Sequence, residues 1–241
     1  MRQGVALLVA GLAAFTGPPP ARADAFDHAP FERLLRKHVV QGMVDYDAFQ
    51  GPDFKAYLAS LDRAQPASLD PRERLAYWIN VYNAYTIQLI VEHRERKSIR
   101  NINRTFGIAA KGPWHEKLVR AGGQVYHLDN VEHDIIRKQW REPRIHFALV
   151  CAAMGCPPLR SEAYTGAKLE EQLAAQARQF LRETPAKNRV DVKTNTVLGS
   201  IIYVKHYRED FGQTDAAIGR YLAAFYAEGP EKRLLLSGKF R

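Results

Sequence analysis

The stretch RERLAYWINVYNAYTIQLIVEH, residues 72–93, carries the longest helical pattern in the chain and decides how the rest must be arranged. Leu75, Trp78, Ile79, Tyr82, Tyr85, Thr86, Leu89 and Ile90 cover more than half of its circumference, so the helix is expected at the centre of a core rather than on its surface. Ser68-Leu69-Asp70-Pro71 reads as its start: Pro is tolerated in a first turn, and Asp70 and Glu73 fall at the positive end of the helix dipole. Asn80 and Asn83 lie three apart on one face, in apolar surroundings where a side-chain amide needs partners. Two jobs fit them, tying the helix to neighbouring backbone or donating to a bound substrate.

Before this helix, Asp27–Lys37 and Phe54–Ala64 repeat apolar residues at helical spacing (Phe31, Leu34, Leu35; Phe54, Tyr57, Leu58, Leu61), with a short extended piece from Gly42 to Tyr46 between them. After it comes a basic, irregular surface connection (94–111). A hairpin follows from Lys117 to Leu128, with Gly122-Gly123 as its turn. Asp129-Asn130-Val131-Glu132 has the spacing of a capping box, which predicts a helix to about Trp140. His133 and Arg137 share a face of that helix, and the dipole at its start favours a neutral imidazole able to accept a proton. Lys168–Glu183 and Ala216–Ala227 read as further helices, and Arg189–Val192 with Asn195–Leu198 as two strands around a turn. No repeat or low-complexity segment occurs, and the last dozen residues carry no clear pattern.

Both cysteines fall in RIHFALVCAAMGCPPLR, residues 144–160. Ile145, Phe147, Leu149 and Cys151 alternate with His146, Ala148 and Val150, which reads as a buried strand ending at Cys151. Cys156 then lies on a loop, before two prolines that bias it to an extended conformation. Three chemistries are open to this pair. A disulfide is the default for an exported chain. Metal binding is disfavoured, because Cys-x4-Cys is not a usual ligand spacing and no second pair follows. A nucleophilic thiol needs a base, a group to orient that base and oxyanion donors. Cys156 is the candidate thiol, His133 the candidate base with His127, His146 and His206 as rivals, and Glu132 or Asp129 the orienting group. Asn80 or Asn83 could donate to an oxyanion, and Arg137 and Arg160 could hold a substrate carboxylate.

The first 23 residues, with Arg2, an apolar run to Phe15, a Gly17–Pro20 breaker and Ala21-Arg22-Ala23, have the pattern of a secretory signal cleaved before Asp24. A periplasmic or secreted location follows as an expectation. Removing Arg2 and Arg22 from the 35 basic residues leaves 33 against 26 acidic, net +7. These charges are mixed along the chain, and the basic stripe and stacking aromatics of a nucleic-acid binder are missing. An anionic small molecule or a peptide-like group is the better partner. No second long apolar run occurs, so no integral membrane segment is expected. No cofactor or metal is implied, and the oligomeric state has no signature.

Taken together, the tracts Tyr77–Ala84, Leu128–Arg137, His146–Cys151, Gly155–Leu159 and Tyr207–Phe211 resemble the bacterial family called domain of unknown function 547, in the same order along the chain. The resemblance spans roughly Val44 to Gly212. It implies a papain-like thiol hydrolase ancestry with a rearranged chain order. Two departures stand out: His206 occupies a place where the family shows Trp, and the tail lacks the family's Tyr-Asp-Trp-Ser-Leu-Asn type of ending. The expectation is then one α+β domain over residues 24–241, helix-rich, with a helical N-terminal lead and a small, mostly antiparallel sheet. Its expected function is that of an exported thiol-dependent hydrolase or transferase acting on an amide, thioester or peptide-like bond. The alternative is a non-catalytic binding module with Cys151 and Cys156 in a structural disulfide.

Overall fold

In the computed structural model, which describes residues 25–105, 108–109, 112–153 and 155–241, the central helix starts where Asp70 caps it. One Asp70 carboxylate oxygen accepts the N–H groups of Arg72 (2.9 Å) and Glu73 (3.1 Å), satisfying donors that no helical carbonyl reaches. This helix, α3 (Pro71–His93), ends at a left-handed Arg94. From Leu75 to Ile87 every residue of it is buried. Such a helix is stabilised by what packs around it, and each large apolar side chain contributes about 1.5–3 kcal/mol.

Two helices precede it, α1 (Ala29–His38) and α2 (Pro52–Arg63), joined through the hairpin β1 (Val39–Val40) and β2 (Met43–Val44). Phe31 of α1 stacks on Tyr57 of α2 with ring centroids 4.8 Å apart. After α3, the strands β3 (Arg104–Thr105) and β4 (Ile108–Ala109) form a short pair, and β5 (Val119–Ala121) and β6 (Gln124–Tyr126) another. The second pair turns at Gly122 and Gly123, both at positive φ, where glycine has no steric cost. That turn also closes α2, because the Gly122 and Gly123 N–H groups donate to the Leu61 and Asp62 carbonyls (3.0 and 2.6 Å).

The segment expected to be a capped α-helix is different. Residues Asn130–Ile136 form a π-helix, marked by the Arg137 N–H bonding to the Glu132 carbonyl, and only then does α4 (Arg137–Gln139) follow. Asp129 is already helical and caps nothing; its carboxylate meets His115 Nε2 at 2.9 Å. The end is closed instead by His127 and Asn130, each accepting the other's backbone N–H on its side chain (3.1 and 3.3 Å). The capping-box reading was therefore wrong, and Glu132 is released for another contact.

The predicted strand at 144–151 is also overturned. Ile145–Ala148 is a single helical turn, α5, with all four residues buried, so the apolar alternation did not separate an inner from an outer face. Next come α6 (Leu169–Arg182), the hairpin β7 (Arg189–Asp191) with β8 (Thr196–Leu198), a second π-helix (Ile202–His206) and α7 (Arg208–Phe211). The chain ends in α8 (Asp215–Ala223) and α9 (Pro230–Ser237). The last predicted helix stops at Ala223 rather than Ala227, and α9 is a helix the sequence pattern did not show. Arg241 then bonds along β8, its N–H to the Asn195 carbonyl and its carbonyl to the Val197 N–H.

The architecture is α+β, helix-rich, with antiparallel strand pairs, β1–β2, β3–β4, β5–β6 and β7–β8, among the described residues. Its apolar interior has two parts. The larger surrounds α3; the smaller joins Phe147, Ala177, Phe180 and Leu181 to the C-terminal helices. Both α5 and α6 contribute to the two parts, Ile145 and Leu173 to one, Phe147 and Phe180 to the other. Among the described residues no helix is long and apolar enough to cross a membrane. The expected secretory signal lies outside the described residues.

Candidate functional site

Two neighbouring assemblies contain the residues singled out from the sequence. The first is the cysteine loop. Cys151 and Cys156 are joined in a disulfide with their Cα atoms 6.0 Å apart, within the ordinary span, and both are half-buried. Cys151 is thus no core residue. Ala152 lies at φ 51, and the Cys156 N–H turns back to the Ala153 carbonyl (2.9 Å). Beyond the bridge, Pro158 packs against the β1–β2 turn so closely that a Cβ on Gly42 would stand 2.3 Å from its own Cβ. Gln176 of α6 donates to the Pro158 carbonyl (2.7 Å), and Lys187 Nζ to the Cys156 carbonyl (2.8 Å).

Both ends of this loop are held by the central helix. The Asn83 amide donates to the Ala148 carbonyl and accepts the Val150 N–H, both at 3.0 Å. The Asn80 amide does the same for Tyr164, donating to its carbonyl (2.7 Å) and accepting its N–H (2.9 Å). Each amide thus makes the pair of bonds that an adjacent β-strand would otherwise supply. Arg160, the other candidate on the loop, donates to Glu162 (2.8 Å), while its buried Nε has no partner among the described residues.

The second assembly is a buried charge network, and it gathers Glu132, His133 and Arg137 around a residue that had ranked only as a rival base. His146, on α5, is 1% exposed in its side chain. Its Nε2 bonds Asp210 of α7 at 2.6 Å, its Nδ1 lies 3.6 Å from Glu132, and its ring stacks on Tyr207 at 3.8 Å. Burial alone would lower the imidazole pKa, but Asp210 and Glu132 together raise it above the ordinary value. The same contacts hold both carboxyls below theirs: burial pushes Glu132 and Asp210 up, and His146, with Arg137 beside Asp210, more than offsets it.

Arg137 forks onto Asp210 through Nε (2.8 Å) and Nη2 (2.9 Å), adds Glu209 (2.7 Å), and passes over the Tyr207 ring at 5.3 Å. Its Nη1 also donates to His133 Nδ1 at 3.1 Å. A guanidinium can only donate, so Nδ1 is the acceptor in that bond. Burial, then Glu132, pushes the Tyr82 and Tyr207 hydroxyls far above the usual phenol range.

Both network histidines are therefore engaged: His146 is buried between two carboxylates that favour its charged form, and the Nδ1 of His133 is occupied. Each π-helix ends beside the network, one delivering Glu132 and Arg137, the other Tyr207 and the Glu209–Asp210 pair. The sequence reading missed Asp210 and Tyr82 as members. The only available signal for the former was the Tyr207–Phe211 tract. Among the described residues no group of three His, Cys, Asp or Glu side chains could hold a metal ion.

No curated protein and no solved structure matches the chain. Residues 66–181, from the turn before α3 to the end of α6, match the family model described as "Protein of unknown function, DUF547", so this part of the chain, with both Asn clamps, the disulfide and His146, is similar to that family.

Proposed function

We propose that this protein is an exported, non-catalytic binding module in which Cys151–Cys156 is a structural disulfide. The observation that carries the reading is the bridge itself: a sulfur in a disulfide is not a nucleophile. The placement of the other groups supports it, since the Asn80 and Asn83 amides are spent on backbone and Arg137 is spent on carboxylates. Export is supported by the N-terminal sequence pattern and by the disulfide, which persists in oxidising compartments.

Intact mass of protein isolated from its native compartment, with and without reductant, tests this. The expected result is a gain of two hydrogens on reduction, with no iodoacetamide adduct beforehand. Two adducts without reductant, with Cys156 outpacing a model thiol at neutral pH, would overturn it.

One observation favours a second reading, a thiol-dependent hydrolase or transferase active after reduction. Lys187 Nζ sits 2.8 Å from the Cys156 carbonyl, which brings an amine to the residue that carries the thiol once the bridge is reduced. Papain-like ancestry and action on an amide, thioester or peptide-like bond belong to this second reading.

A further inference from the structure

Away from the charge network, the start of α3, the end of α4 and the start of α6 enclose a cleft of about 270 Å³. Its floor is apolar, formed by Leu75, Leu169 and Leu173, with the half-buried Trp140 as a wall. The walls are fixed to one another: Glu73 of α3 accepts the Gly166 N–H at 2.6 Å, just before α6. Four charged residues line the cleft, Arg72, Arg141, Glu142 and Glu170. Both glutamates are held by Arg144, Glu142 through Nε (2.8 Å) and Glu170 through Nη2 (2.8 Å). Arg72 and Arg141 are exposed and have no salt-bridge partner among the described residues, although Arg72 lies close enough to Glu170 to help lower its pKa. With both carboxylates committed to Arg144, the cleft combines an indole, three leucines and two uncommitted guanidinium groups.

We propose that this cleft is the binding site of a small aromatic carboxylate, its ring against Trp140 and the leucines and its carboxylate taken by Arg141 and Arg72. The volume lies just under the roughly 300 Å³ at which small-molecule pockets begin, which suits one or two fused rings. Guanidinium is the side chain whose planar fork matches a carboxylate. The N-terminus of α3 is not the anion site, because Asp70 already occupies its first donors. The proposal deepens the binding-module reading by naming where a ligand sits and of what class.

Titration calorimetry of the full mature chain with 1-naphthoate, against the uncharged 1-naphthamide, tests it. The expected result is saturable naphthoate binding, about tenfold weaker for the amide and for Arg141→Gln or Arg72→Gln, as loss of a charged hydrogen bond implies. Trp140→Ala should abolish binding; if that variant unfolds, the two arginine variants on the exposed rim carry the test. Equal affinity for acid and amide, indifference to both arginine variants, or no heat at millimolar naphthoate would overturn the site. No binding in protein whose cysteines prove paired overturns this site and leaves the binding-module reading standing. Arginine-dependent binding in protein whose cysteines prove free and reactive does the reverse.

Discussion

His28 shows what a single buried ring does to pH dependence. It is 2% exposed, its Nδ1 meets the Tyr57 hydroxyl at 2.8 Å, and its ring lies 4.7 Å from that of Phe26. Burial lowers its pKa from 6.5 to about 3, so the folded chain keeps the ring neutral where the unfolded chain protonates it. Its contribution to stability is complete above pH 6.5 and falls as pH drops towards 3, by up to about 1.4 kcal/mol per pH unit. His146 acts with the opposite sign: its pKa is raised, so its contribution is complete below 6.5 and is lost as pH rises through the folded value. Asp210 and Glu132, both lowered, give way only below about 4.5. Between pH 6.5 and 4.5 softening should therefore be mainly the work of His28, with the half-buried His127, whose pKa burial also lowers, adding less. Urea midpoints across that range should fall for the wild type and stay nearly flat for His28→Phe. Parallel falls in both proteins would mean that His28 is not buried neutral. None of this is legible in the sequence, where His28 is one polar residue in the first turn of a helical pattern.

Helices α1, α2, α3 and α6 were legible because each runs ten residues or more, long enough for the 3.6-residue period to show. The single turn α5 is too short for that, and Asn83 bonds the backbone just after it as a strand would, so an extended reading and a helical one leave the same apolar pattern. A π-helix is harder still: its wider turn shifts every later side chain, and no local composition marks the shift. The candidate site was accordingly half legible. Glu132, His133 and Arg137 lie within six consecutive residues of one predicted helix, whereas Asp210 and Tyr207 come from a distant part of the chain and only tertiary packing unites them with His146. The junction of α3 and α6 makes a testable element-scale case. A Cβ on Gly166 would stand 2.4 Å from Glu73 Oε2 and 2.8 Å from Glu73 Cα, the second being backbone that cannot swing aside. Gly166→Ala should cost about 1–3 kcal/mol by overpacking, read as a lower urea midpoint. An unchanged midpoint would show that the two helices separate there without cost.

At the scale of the whole molecule, the disulfide is a small part of what holds the chain together. It closes a short loop, sequence separation 5, for which chain entropy gives about 2 kcal/mol. Apart from Ala152, the two apolar clusters and α3 lie outside it. Reduced protein, or the Cys151→Ser, Cys156→Ser double variant, should keep its far-UV circular dichroism and melt a few degrees lower. Collapse of secondary structure on reduction would contradict this. The Asn80 and Asn83 clamps explain why so little depends on the bridge. A helix rises 1.5 Å per residue, so the two amides stand about 4.5 Å apart along one rod, and they pin Val150 and Tyr164 to that rod whether or not the bridge is closed. Mechanically, residues 151–163 form a detour whose entrance and exit are bolted to the same beam. Whether the bridge is open or closed, the main chain enters and leaves the detour at the same two bolts.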